Sequence, residues 1–204
     1  IGRNYADHVR EMGGDPKADP PVFFTKPADA VVASGSTIPY PPGTSDLHFE
    51  GELVVALKGG GRAIASPQEA TERIFGFAAG CDLTRRDLQA AAKKAGGPWD
   101  AAKAFDRSAP VGPILRSEAV TLDSARLTLA VNGAQRQNAP LADMIWSAPE
   151  IVMALSRLFE LKAGDLIFTG TPEGVGPLVA GDKVRVAIGP LPPLDFSIGP
   201  VDER

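Results

Sequence analysis

Two hydrophobic periods run along the chain. Between residues 127 and 137 apolar and polar positions alternate, broken by Asn132-Gly133. That pair supplies the positive φ angles of a type I′ turn, so the pattern predicts a hairpin of strands 127–131 and 134–137. Further strands are predicted at 75–81, 165–169, 183–188 and 194–198, separated by Gly and Pro. Residues 47–57, rich in Val and Leu, read as another. The helical period occurs in isolated places. Ser66-Pro67 with Glu69 forms a capping box opening a helix over 67–73. Thr84, as an N-cap with Asp87 three residues on, predicts a helix that stops near Gly96-Gly97. Ser147 and Glu150 precede Ile151, Leu155 and Leu158, an apolar stripe expected to face a sheet before the chain turns at Gly164. Residues 5–12 read as a short helix running into Gly13-Gly14. Strands outnumber helices and do not alternate with them, which predicts an α+β fold with a large mixed or rolled sheet.

Composition narrows the class. The 204 residues suit one domain, and 44% hydrophobic with 23% charged residues excludes disordered, collagen-like and coiled-coil chains. With 22 Gly and 19 Pro, short strands and many turns are expected. A net charge of -4 without a basic run argues against nucleic acid or an anionic membrane as partner. No apolar stretch approaches the ~18 residues of a membrane span. Cys81 is the single cysteine, so no internal disulfide can form; it reads as a small buried core residue, and a reducing cytoplasm fits. The chain opens at Ile1, and an N-terminal segment is expected to be missing.

The chemistry-bearing positions lie where strands meet helices. Alternation in 47–57 puts His48, Glu50, Glu52, Val54 and Ala56 on one face. At roughly 6.6 Å between backbone positions, the two Glu side chains can converge on one ion. Because that face continues into Val54 and Ala56, the acids sit where the strand enters the interior, and buried paired carboxylates need a cation or a shared proton. Asp82 leaves the strand 75–81 as a third acid. Three carboxylates without Cys or paired His ligands select Mg²⁺ or Mn²⁺ over zinc. Arg86 and Gln89, three apart near a helix start, suit a carboxylate-bearing ligand. His8 and Glu11 are also three apart, and a carboxylate that orients imidazole makes a general base; spacing alone favours an incidental pair on an exposed helix. Residues 169–176 match neither a dinucleotide fingerprint nor a phosphate loop and read as a substrate-facing turn.

Taken in order, Gly2-Arg3-Asn4-Tyr5 with His8 and Glu11, Phe24-Thr25-Lys26-Pro27, residues 48–53, residues 82–87, Lys103-Ala104-Phe105 and Thr169-Gly170-Thr171-Pro172 carry a family resemblance. The chain resembles, end to end, the catalytic domain of the fumarylacetoacetate hydrolase superfamily, and within it the fumarylpyruvate and acylpyruvate hydrolase branch. The resemblance implies one mixed β-sheet roll with a few peripheral helices. It implies that Glu50, Glu52 and Asp82 bind Mg²⁺ or Mn²⁺, and that His8 and Glu11 activate water on a lid, residues 5–20, that orders over substrate. It adds Lys103 as a cation near the reacting oxygen, and Arg86, Gln89, Thr171 and Lys26 as substrate residues. The implied reaction is hydrolytic carbon–carbon cleavage of a 2,4-dioxo acid, fumarylpyruvate to fumarate and pyruvate, in a cytoplasmic homodimer. Oxaloacetate decarboxylation, 2-oxo acid tautomerisation and a binding domain without turnover are the rivals. Gly51 departs from the family motif, where a larger apolar residue is usual; altered packing is expected there, not lost ligation.

Overall fold

The computed structural model describes residues 1–11 and 21–201, with the side chains of Val9 and Glu11 outside the description. The strands are β1 (Val31–Ala33), β2 (Thr37–Tyr40), β3 (Leu47–Phe49), β4 (Gly51–Leu57), β5 (Ile74–Cys81), β6 (Thr84–Arg85), β7 (Ala109–Val111), β8 (Leu115–Arg116), β9 (Arg126–Val131), β10 (Ala134–Pro140), β11 (Leu166–Phe168), β12 (Gly176–Leu178), β13 (Lys183–Ile188) and β14 (Leu194–Val201). The helices are α1 (Ala6–Glu11), α2 (Pro67–Arg73), α3 (Arg86–Ala95), α4 (Asp100–Lys103) and α5 (Ala148–Leu158).

Three sheets result. One orders its strands β1-β7-β5-β4-β11 with β8 beside β5, a second runs β10-β9-β13-β14-β2, and the third is β12-β3-β6. Pairing is antiparallel except for β1 with β7 and β14 with β2, so the architecture is α+β with mixed sheets, as expected. The main core fills the space between the sheets. Leu127, Leu129, Val184, Val186 and Phe196 meet Leu47, Phe49, Leu53, Ala79 and Cys81 there. A second cluster packs Ile151 and Val152 of α5 and Ala70 of α2 onto Val55, Leu57 and Ile74. β4 is therefore buried throughout its length.

Local chemistry explains most elements. Ser66 Oγ accepts the Glu69 N–H at 3.1 Å with Pro67 at the first helical position. Ser147 and Glu150 form the capping box of α5. Asn132 (φ 52°) and Gly133 (φ 80°) make the hairpin turn between β9 and β10.

Three expectations need correction. Residues 47–57 are not one strand: the chain breaks at Glu50, and β3 and β4 join different sheets. Thr84 does not cap α3. The cap position is Arg85, without a side-chain hydrogen bond, and Thr84 pairs with His48 in the small sheet. In α5 the buried residues are Ala148, Ile151, Val152 and Ser156, whereas Leu158, expected on the sheet-facing stripe, is exposed at the end of the helix. The expected lid falls largely on residues 12–20, outside the described residues.

Candidate metal centre and active site

The break at Glu50 and the end of β5 create the site. Asp82 N–H bonds to the Glu50 carbonyl at 2.8 Å, and β4 pairs with β5 so that Glu52 lies opposite Gly80. Glu50, Glu52 and Asp82 are all buried, and each offers an oxygen within 4.8 Å of the others. The sequence reading brought these three together, and the fold does the same.

Cations from α3, α4 and the segment before β1 surround them. Lys103, at the end of α4 and only 1% exposed, places Nζ 2.7 Å from Glu50 Oε2, 2.6 Å from Asp82 Oδ2 and 2.6 Å from Thr84 Oγ1. An ammonium has three donors, and all three are used. Arg86, at the start of α3, donates through Nη2 to Glu50 Oε1 at 2.6 Å and through Nη1 to Gln89 Oε1 at 2.6 Å. Lys26 Nζ lies 2.8 Å from Asp82 Oδ1 and donates to the carbonyls of Leu83 and Lys103. Lys26 thus ties Asp82 to α4, in addition to facing the site.

The three carboxylates feel different fields. Burial pushes Glu50 upward, but Lys103, Arg86 and His8 outweigh it and hold the carboxyl well below the usual range. Among the described residues no side-chain cation is bonded to Glu52; it accepts the Gly170 N–H at 2.6 Å, and the Ile1 ammonium and Lys103 only partly offset its burial. Burial, with Asp82 and Glu50 nearby, raises it to about 8. The cluster is therefore short of positive charge at Glu52. A hard divalent cation bonded by these oxygens would supply it, so the residues fit Mg²⁺ or Mn²⁺.

His8 comes from the far end of the sequence. Asn4, buried two residues before α1, donates through Nδ2 to Thr169 O at 2.6 Å and Trp146 O at 3.0 Å, and accepts the Trp146 N–H at 2.7 Å. That latch fixes the start of α1 against the turn after β11. His8 is buried and lies among the groups that act on Glu50. The side chain of Glu11 lies outside the described residues. An open groove of ≈ 940 Å³, lined by Phe24, Trp99, Leu166 and Phe168, reaches Lys26 and Asp82; of the three carboxylates only Asp82 lines it.

Thr171 is buried in the turn 169–174, its Oγ1 accepting from Gln137 Nε2 at 2.8 Å. Gln137, Asn4 and the Thr84 hydroxyl are site components that sequence reasoning missed. Their partners lie 86, 165 and 19 residues away; Asn4 and Thr84 sit in segments that carry the family resemblance but were given no role in the site, and nothing local marks Gln137.

The sequence profile described as Fumarylacetoacetate (FAA) hydrolase C-terminal matches residues 1–199. The chain belongs to the fumarylacetoacetate hydrolase family. Within the family, a fumarylpyruvate hydrolase of Ralstonia sp is 39% identical over 188 residues, 92% of this chain and 97% of the relative. An oxaloacetate tautomerase, YcgM of Escherichia coli (strain K12), is 40% identical over 188 residues, 91% of this chain and 85% of the relative. Among solved structures of the family, a fumarylpyruvate hydrolase from Pseudomonas aeruginosa in complex with Mn²⁺ and pyruvate superposes with a TM-score of 0.94 at 47% identity, covering 98% of this chain and 88% of that one.

Proposed function

We propose that this family member is a divalent-metal-dependent hydrolase of acylpyruvates, with fumarylpyruvate as substrate and fumarate and pyruvate as products. The observation that carries the reading is the buried set Glu50, Glu52 and Asp82 in a chain 47% identical in sequence, at a TM-score of 0.94, to a fumarylpyruvate hydrolase whose structure holds Mn²⁺ and pyruvate. Those three residues would hold the ion, which when bound supplies Lewis acidity toward a chelating 2-oxo acid.

The chain's own groups do the rest. Hydrolysis joins a water oxygen to the distal carbonyl carbon and breaks the bond from that carbon to the pyruvate methylene. The electron pair passes into the 2-oxo group of the leaving pyruvate, which is later protonated at carbon. His8 removes the proton from water, with Glu11, one helical turn on, orienting the imidazole. Lys103 places a fixed positive charge beside Glu50 and Asp82, where negative charge develops as the bond breaks. Arg86, Gln89 and Thr171 hold the substrate's carboxylate end, and Lys26 keeps Asp82 and α4 in register. The same reading carries a cytoplasmic homodimer, for which the free thiol of Cys81 fits a reducing compartment.

A second reading is favoured by the 40% identity to an oxaloacetate tautomerase: enolisation of oxaloacetate at the same carboxylate cluster, without attack by water. Turnover of fumarylpyruvate and of oxaloacetate by the same Mg²⁺-loaded protein, before and after chelation, tests the choice. Preferential, chelator-sensitive cleavage of fumarylpyruvate supports the hydrolase. Interconversion of oxaloacetate tautomers without cleavage of any acylpyruvate supports the alternative.

A further inference from the structure

Gln137 is 1% exposed and stands on β10 where the pairing with β9 shifts register. Its Oε1 accepts the Gly51 N–H at 2.9 Å, and its Nε2 donates to Pro172 O and to Thr171 Oγ1, each at 2.8 Å. A backbone N–H can only donate and a carbonyl can only accept, so the side-chain amide has one permitted orientation. Thr171 Oγ1 faces an N–H, and the hydroxyl hydrogen must be donated elsewhere. Among the described residues no acceptor takes it. The preceding residue, Gly170, donates its own N–H to Glu52 Oε2, so the hydroxyl stands one residue from the carboxylate cluster.

Gly51 makes this arrangement possible. A Cβ there would come 3.0 Å from Gln137 Oε1 and 3.1 Å from Leu129 Cδ1. The glycine that separates Glu50 from Glu52 therefore admits the amide that governs Thr171. With the amide reversed, its oxygen would take the hydroxyl hydrogen and Thr171 would present lone pairs to an anionic ligand.

We infer that Gln137 is a positioning residue that makes Thr171 an obligate hydrogen-bond donor to the carboxylate of the bound 2-oxo acid. The inference rests on the reading of Thr171 as a substrate residue given above. Glutamate at 137 keeps the acceptor for Gly51 but turns an acceptor toward Thr171, so it reverses the hydroxyl. Methionine only frees it.

The test is calorimetric oxalate binding to the Mg²⁺-loaded protein, with Mg²⁺ affinity measured separately. Gln137→Glu should weaken oxalate by ~10- to 100-fold, the range expected when a hydrogen bond to a charged group is lost, with Mg²⁺ affinity retained. Gln137→Met should cost only a few-fold. In a Thr171→Val background most of the Gln137→Glu penalty should vanish, because the residue it acts through is gone. An equal penalty in both backgrounds would overturn the inference by assigning the loss to the new charge alone. Wild-type oxalate affinity in Gln137→Glu would overturn it too. If Gln137→Glu does not fold, the coupling of Gln137→Met with Thr171→Val decides in its place: an effect confined to the Thr171 background supports the inference, and equal effects refute it. Thr171→Val with wild-type oxalate affinity would fail the substrate reading itself, a separate result.

Discussion

The ammonium of Lys103 lies 2.6 Å from Asp82 Oδ2, a contact between a residue on a four-residue helix and the exit of the central strand. Both side chains are almost wholly inaccessible. Removing one partner of such a pair leaves a buried charge uncompensated, typically at a cost of ~3–5 kcal/mol. Lys103→Met should therefore melt well below wild type in the presence of chelator. Excess Mg²⁺ should recover part of the loss, since a second cation can balance Glu50 and Asp82. Thermal melts with and without Mg²⁺ check this, and an unchanged melting temperature would contradict it.

Glu52 makes metal binding pH-dependent. In the unfolded chain its carboxyl has an ordinary value of 4.5, and burial raises it to about 8 in the metal-free fold. Between those values the folded protein binds more protons than the unfolded one, so metal-free stability should fall as pH rises through the window. An ion needs the carboxylate, so Mg²⁺ binding below about pH 8 should release a proton and tighten as pH rises. Calorimetry at pH 7 in buffers of different ionisation enthalpy measures the release. Glu52→Gln should bind Mg²⁺ more weakly and without that release.

Gly51 is a packing requirement as well as a spacer. Gly51→Leu, although closer to the family motif, meets Gln137 Oε1 and the side chains of Leu129 and Leu127 at 3.0 to 3.4 Å already at Cβ. Overpacking of this kind costs ~1–3 kcal/mol. Denaturant unfolding should show the loss. Because Gln137→Ala empties the space, the pair Gly51→Leu with Gln137→Ala should lose less than the sum of the two single losses.

Cys81 offers a check on the core. It is fully buried, and burial pushes its thiol up. Ellman's reagent should find no reactive thiol in the native protein and one after unfolding. Rapid native-state reaction would show that the end of β5 opens.

Much of this was legible in the sequence because the signals were local. Asn132-Gly133 names its turn, Ser66 and Ser147 name their helix starts, and an acid-x-acid pair entering an apolar strand points to a buried cation site. Long-range contacts were not legible. Lys103 bonds to residues 53 and 21 positions away, and Gln137 reaches Gly51 across 86. Spacing and periodicity mark neither side chain, and Lys103 was named only through the family resemblance. Thr84 misled for a related reason: a Thr before a helix ordinarily caps it, but here Lys103 holds the hydroxyl and Arg85 takes the cap position. The break at Glu50 follows from two sheets competing for one apolar run, a tertiary effect that alternation cannot express.

Hydrolytic carbon–carbon cleavage requires an activated water, and His8→Ala measures that activation most directly. With the Mg²⁺-loaded protein, fumarate and pyruvate formed from fumarylpyruvate should appear in equal amounts, and the substitution should slow them by ~10² to 10⁴, the usual loss of a general base. Decarboxylation of oxaloacetate, which needs no attacking water, should suffer much less. Near-wild-type cleavage of fumarylpyruvate by His8→Ala, or no cleavage by the wild-type protein, would contradict the account.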